Sequence, residues 1–183
     1  MNLTDNFLIA MPSLEDPNFQ GTVTYMCAHN EDGAMGIVIN RPLEIKFGEV
    51  LAQLSIDVTD ETTHDGAVLH GGPVQTERGF VIHQPSGTWG SVLQVSDTIA
   101  IATSHDILHA IAQGKGPERS VVALGYAGWG AGQLEREVLD NAWLNTPADS
   151  SIIFDVAAEH RWEQATRMLG VDPSQLVGEA GHS

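Results

Sequence analysis

The chain has 183 residues, 42% of them hydrophobic and 17% charged, which gives it the material for a buried core. Its 24 acidic residues stand against 8 lysines and arginines, a net charge of −16. That balance disfavours direct binding to nucleic acid or anionic membranes, which needs clustered cations to displace counterions, and the two lysines, Lys46 and Lys115, lie far apart in the sequence.

The opening MNLTDNF has no basic region leading into an apolar stretch, and no window approaches the roughly eighteen apolar residues of a membrane span. A cytoplasmic protein is expected. The single cysteine, Cys27, rules out an internal disulfide and any multi-cysteine metal site. Without repeats or linkers the chain reads as one domain over 1–183, frayed only in the tail, residues 177–183.

In chain order, Phe7 to Met11 reads as a strand stopped by Pro12. Gly21 to His29 and Ala34 to Asn40 form a hairpin around Asn30-Glu31-Asp32-Gly33. Phe47, Val50, Leu51 and Leu54 are spaced as one face of a short helix. Strands are expected over Ala67 to His70, Gly79 to Gln84, Ser91 to Val95 and Thr98 to Ala102. Thr103 to Asp106 resembles a capping box opening a helix that ends at Gly114. Ser120 to Ala127 reads as a strand, Leu134 to Trp143 as a helix, Ser151 to Asp155 as a strand, and Ala157 to Leu169 as a last helix closed by Gly170 and Pro173. Hairpins first and alternating elements later indicate an α+β fold.

Four segments carry residues suited to chemistry. LGYAGWGAGQLERE, Leu124 to Glu137, places four glycines and two aromatics where a strand hands over to a helix; Tyr126, Gly128 and Trp129 could meet a flat ligand, or fill core. The glycine spacing matches neither nucleotide-binding pattern, and two glutamates at the helix start oppose an anion. On a regular strand Tyr25, Cys27 and His29 share a face, so His29 could activate the Cys27 thiol; the alternative is a buried, inert cysteine. His70-Gly71-Gly72-Pro73 reads either as a ligand-facing turn or as glycine and proline geometry alone, and Asn40-Arg41-Pro42 likewise as a polar edge of the same cleft or as a turn. His105 and His109 have zinc-like spacing on their helix, with a solvent-facing reading favoured.

These strings, from FLIAMPSLEDPNFQGTVTYMCAHNEDGAMGIVINRP through GGPVQTERGFVIH and TSHDIL to LGYAGWGAGQLEREVLDNAW, IIFD, RW and LGVDPSQL, resemble the bacterial AlgH/YqgE family over most of the chain. The resemblance implies a mixed, largely antiparallel bifurcated sheet forming a pseudo-barrel with flanking helices. It implies no agreed catalytic residues and no known cofactor, and a label of transcriptional regulator. Combined with the charge, this leads to a non-enzymatic regulatory or binding domain for an unknown protein or small molecule, acting indirectly on transcription. Thiol chemistry at Cys27 and His29 is the alternative, and exposed aromatics would allow a homodimer.

Overall fold

The structure is a computed structural model that describes residues 1–59, 66–85, 87, 89, 92–103 and 105–170. The expected stop at Pro173, the string past Gly170 and the tail lie outside the described residues, as does Ser104 in the capping segment.

Ten strands and five helices alternate along the described chain: β1 (Asn6–Ala10), β2 (Val23–Asn30), β3 (Gly33–Val38), β4 (Pro42–Lys46), α1 (Phe47–Gln53), β5 (Ala67–His70), β6 (Val74–Gln84), β7 (Val92–Gln94), β8 (Ala100–Ala102), α2 (His105–Ala112), β9 (Arg119–Gly130), α3 (Gln133–Leu139), β10 (Trp143–Pro147), α4 (Ser150–Phe154) and α5 (Ala158–Met168). The sheet runs β10-β1-β2-β3-β9-β6-β8-β7, with β5 and β4 branching from β9. Every pairing is antiparallel except β5 on β9. The whole curls into a half-barrel, the mixed α+β architecture expected.

β9 makes the fork. Its first half pairs β5 on one edge, its second half pairs β3 on that same edge, and β6 follows along the other. At the divide, Gly71 donates its N–H to Leu124 O and accepts from Val38 N, so one residue ties both branches to β9. Two backbones cross here almost in contact. A Cβ on Gly71 would lie 2.4 Å from Gly125 O, and one on Gly125, whose φ is 80°, would lie 2.5 Å from Gly72 O. Only glycine fits such an approach.

Gly125 also reverses the strand's alternation. Before it, Val122 packs outward on α1 and α2 while Ala123 packs inward; after it, Tyr126 packs inward and Ala127 outward. Opposite it β6 loops out: one residue of β9 separates the partners of Val74 and Gly79, whereas four residues, Gln75 to Arg78, separate Val74 from Gly79. Gln75 adopts φ of 49° within this bulge.

One face of the sheet builds a single cluster across both branches, including Phe7, Tyr25, Ile37, Ile82 and Ala123, and α4 and α5 cover part of it with Ile152, Ile153 and Ala165. The reverse face splits into two clusters, one under α1 and α2 and one under α3 and the N-terminal segment. The single cluster is therefore the inner face of the curl.

Three expectations needed correction. Ser151 to Asp155, read as a strand, is helix α4: the Asp149 carboxylate accepts from Ser151 N at 2.9 Å, nucleating a turn, and neighbouring Ile152 and Ile153 both bury as a strand one face deep would not allow. Leu134 to Trp143 is not one helix, since α3 stops at Leu139 and Trp143 opens β10, which pairs with β1. The strand expected to end at Ala127 runs on through Gly130, and β4 was not anticipated after Arg41-Pro42.

Candidate functional site

The bulge at Met26 to Ala28 decides the fate of the cysteine pair. Met26 pairs with Gly36 and Ala28 with Met35, leaving Cys27 as the extra residue. The side-chain period slips by one, so Cys27 stays on the inner face while His29 turns to the outer one. The expected shared face of Tyr25, Cys27 and His29 is therefore broken. Cys27 is 1% exposed, its Sγ lies 3.5 Å from Tyr25 O, and burial pushes the thiol well above its ordinary range, the opposite of activation. Tyr25 is raised likewise, by burial first and then by donating its hydroxyl to Asp5 Oδ1 at 2.7 Å.

His29 is held at both nitrogens. Nδ1 accepts from Leu3 N at 2.9 Å, so Nε2 carries the proton and donates to Glu135 Oε1 at 3.1 Å. That bond holds the Glu135 carboxyl below the usual carboxylate range. Glu137, the second glutamate of α3, accepts with one oxygen from Trp129 Nε1 at 3.1 Å and Trp143 Nε1 at 3.0 Å, and with the other from Gln133 Nε2 at 2.9 Å. Trp129, read either as a ligand contact or as core, is 5% exposed; Phe19 stacks on it with centroids 5.8 Å apart, and Trp143 meets it edge-on. Both glutamates that seemed to oppose an anion are receptors for buried donors.

The other flagged residues divide between framework and surface. Asn40 clamps the start of β2, accepting from Val23 N and donating to Gly21 O, and Arg41 fixes the preceding loop through Asn18 O and Gln20 O. Gly71 and Gly72 form the backbone crossing, with the exposed Pro73 leading into β6. His70 pairs with Leu124 in the parallel ladder. His105 and His109 are both exposed on α2. Thr103, read as the cap of that helix, accepts from Arg78 Nη2 at 3.3 Å.

Tyr126 and Gly128 reach open space. Where α4 and α5 leave the inner face uncovered, Met35, Phe80, Ile101 and Tyr126 floor a groove of about 410 Å³, with Gln75, Arg78 and Thr103 on its rim. Met35 and Tyr126 carry it into a shallower depression of about 520 Å³ beside the β2–β3 turn, reaching Asp32 and Gly128. Phe80 and Tyr126 meet edge-on at 5.5 Å, and the Arg78 guanidinium sits over Phe80 at 5.7 Å. Among the described residues Arg78 has no carboxylate partner; Gln75 Oε1 and Thr103 Oγ1 steady its guanidinium. Sequence reasoning missed Met35, Phe80, Gln75 and Arg78. The signal was present in QTERG, an arginine just before a glycine and the apolar run Phe80 to Ile82.

A curled, forked sheet with an apolar groove at its open end and buried polar clamps elsewhere defines a mixed α+β half-barrel protein. The chain belongs to the AlgH-like family, whose model matches residues 7–174. A UPF0301 protein of Thioalkalivibrio sulfidiphilus is 55% identical over 182 residues, covering 100% of this chain and 97% of that one, and a UPF0301 protein of Nitrosococcus oceani is 52% identical over 98% and 96%. The solution structure of the AlgH protein from Pseudomonas aeruginosa is 50% identical, with a TM-score of 0.83 over 100% of this chain and 97% of that one. A Corynebacterium diphtheriae protein, DIP2367, shares the fold at a TM-score of 0.69 and 18% identity, over 91% and 86%. No helix among the described residues is long and apolar enough to cross a membrane.

Proposed function

We propose that the chain is a non-enzymatic binding protein, a single unit over 1–183, whose groove takes a partner with an aromatic or apolar side and a negatively charged end. The observation that carries this reading is Arg78. In a chain of net charge −16 it stands without a carboxylate partner among the described residues, on a four-residue bulge, above an aromatic floor. Such a site combines apolar contact area with one orienting charge. Any influence on transcription is then indirect, through the partner. Cys27 serves the core, because a thiol held neutral and enclosed offers no nucleophile.

The test is a titration of isotope-labelled protein with N-acetyl-phenylalanine, an aromatic carboxylate, read by amide and methyl shifts. Saturable shifts at Met35, Phe80, Arg78 and Tyr126 are expected, weakened about tenfold by either Arg78→Gln or Tyr126→Ala. Equal binding by all three proteins would sink the reading. A parallel DNA titration at low salt is expected to show no binding, and tight, salt-sensitive binding there would restore a direct mechanism.

A further inference from the structure

A second concavity, sharing no residue with the groove, lies between the β4–β5 branch and the α4–α5 corner. Its volume is about 710 Å³, and Phe47, Leu69, Val121, Phe154 and Val156 contribute its apolar wall. Arg161 lines it and is only 7% exposed. Nε of Arg161 donates to Ile152 O at 3.1 Å and Val156 O at 2.9 Å, and Nη1 donates to Ile39 O. These bonds leave the two N–H groups of Nη2 unused among the described residues, on a side chain that lines the cavity.

Among the described residues no carboxylate forms an ion pair with this buried guanidinium; three carbonyls hold it, and burial lowers its proton affinity. The acids nearby do not fill the role. Asp155 is tied to Arg119 at 3.1 Å on the rim, and Glu159 is exposed, contributing only its field to Arg161. Lys46, exposed at the mouth, has no ion-pair partner among the described residues. The start of α5 lines the same space; His160 N donates to Ala157 O at 2.9 Å, and Ala157, the N-cap, has no side-chain oxygen for the two amides before it, those of Ala158 and Glu159.

We propose that this cavity binds a small organic oxyanion, its carboxylate or phosphate head on Arg161 Nη2 and the first amides of α5, and its apolar body against Phe47, Leu69 and Phe154. The head completes the guanidinium's hydrogen bonds and supplies the cap that α5 lacks. The volume exceeds what an inorganic ion fills, which is why the ligand is organic. Lys46 closes over the mouth and adds a second charge.

The experiment titrates labelled full-length protein with phenyl phosphate, benzoate and inorganic phosphate, following amides 156–161 apart from those at Arg78 and Tyr126. Saturable shifts at 156–161 are expected with phenyl phosphate or benzoate at a Kd of about 1 mM or tighter, and the tighter of the two identifies the head group. Ala157→Asp supplies a carboxylate cap of its own; it is expected to keep or raise the Tm while weakening binding at least about tenfold. Lys46→Gln, on the surface, is expected to weaken it about threefold. The proposal is overturned if no shift appears at 156–161 by about 10 mM, if Ala157→Asp or Lys46→Gln binds like the parent chain, or if inorganic phosphate binds as tightly as both aromatic probes.

Discussion

Gly125 and Gly132 form a natural pair of controls for the fork in the sheet. Both adopt left-handed backbone, at φ of 80° and 74°, and so share a conformational cost on replacement by alanine of about 1–2 kcal/mol. They also share the smaller gain from a stiffer unfolded chain. They differ in space: an added Cβ at Gly132 meets nothing within 4 Å, whereas at Gly125 it would lie 2.5 Å from Gly72 O, 3.1 Å from Val74 O and 3.2 Å from Thr76 Cα. Those atoms are backbone in a doubly bonded crossing and cannot swing aside, so the overpacking cost of about 1–3 kcal/mol falls on Gly125→Ala alone. Urea unfolding followed by tryptophan fluorescence should place Gly125→Ala about 2 kcal/mol below Gly132→Ala, and at this length its Tm should be lower by about 4–8 °C. Two variants within about 0.5 kcal/mol of each other would refute the crossing as the reason for glycine at 125.

Two further outcomes follow from buried polar groups. Glu137→Leu strands two indole N–H groups and should cost about 2–4 kcal/mol, while Glu137→Gln keeps one oxygen for both indoles and should cost less than half as much; equal losses in urea unfolding would contradict the shared-acceptor geometry. Burial keeps the Cys27 thiol neutral in the native state above its ordinary range, so once pH exceeds about 8.5 only the unfolded chain sheds that proton and stability falls as pH rises. The parent chain should lose about 2 kcal/mol relative to Cys27→Val between pH of about 8.5 and 10, and a stability difference that stays flat over that range would mean the thiol is not enclosed.

The elements most legible in the sequence were those whose period and punctuation agree. The hairpin around Asn30 to Gly33, the helix at Phe47 and the last helix at Ala158 each combine an apolar rhythm with a turn or stop. Short apolar runs misled. Ser151 to Asp155 has strand composition, and only the Asp149 cap, worth about 1 kcal/mol, tips five residues into helix. Alternation failed at Cys27 and Gly125 for the same physical reason, an extra residue or a left-handed glycine that slips the period by one, and neither leaves a mark that a period count can see. The site was half visible: Tyr126 and Gly128 lie on the open groove, but Met35 and Phe80 meet them only through pairings of β3 and β6 with β9 that no local pattern encodes.

The place of β9 in the chain has a consequence for synthesis. Residues 119–130 must satisfy β3, β5 and β6, whose own residues emerge from the ribosome much earlier, and β1 waits longer still for β10 at 143–147. Until then the nascent chain holds several hydrophobic strands with open edges, and closing them brings together segments about 90 residues apart, the slow kind of contact in folding. The half-finished chain is thus the state most exposed to strand-to-strand association. Its crowd of acidic residues keeps such copies apart by repulsion, so the net charge guards the molecule while it is being made.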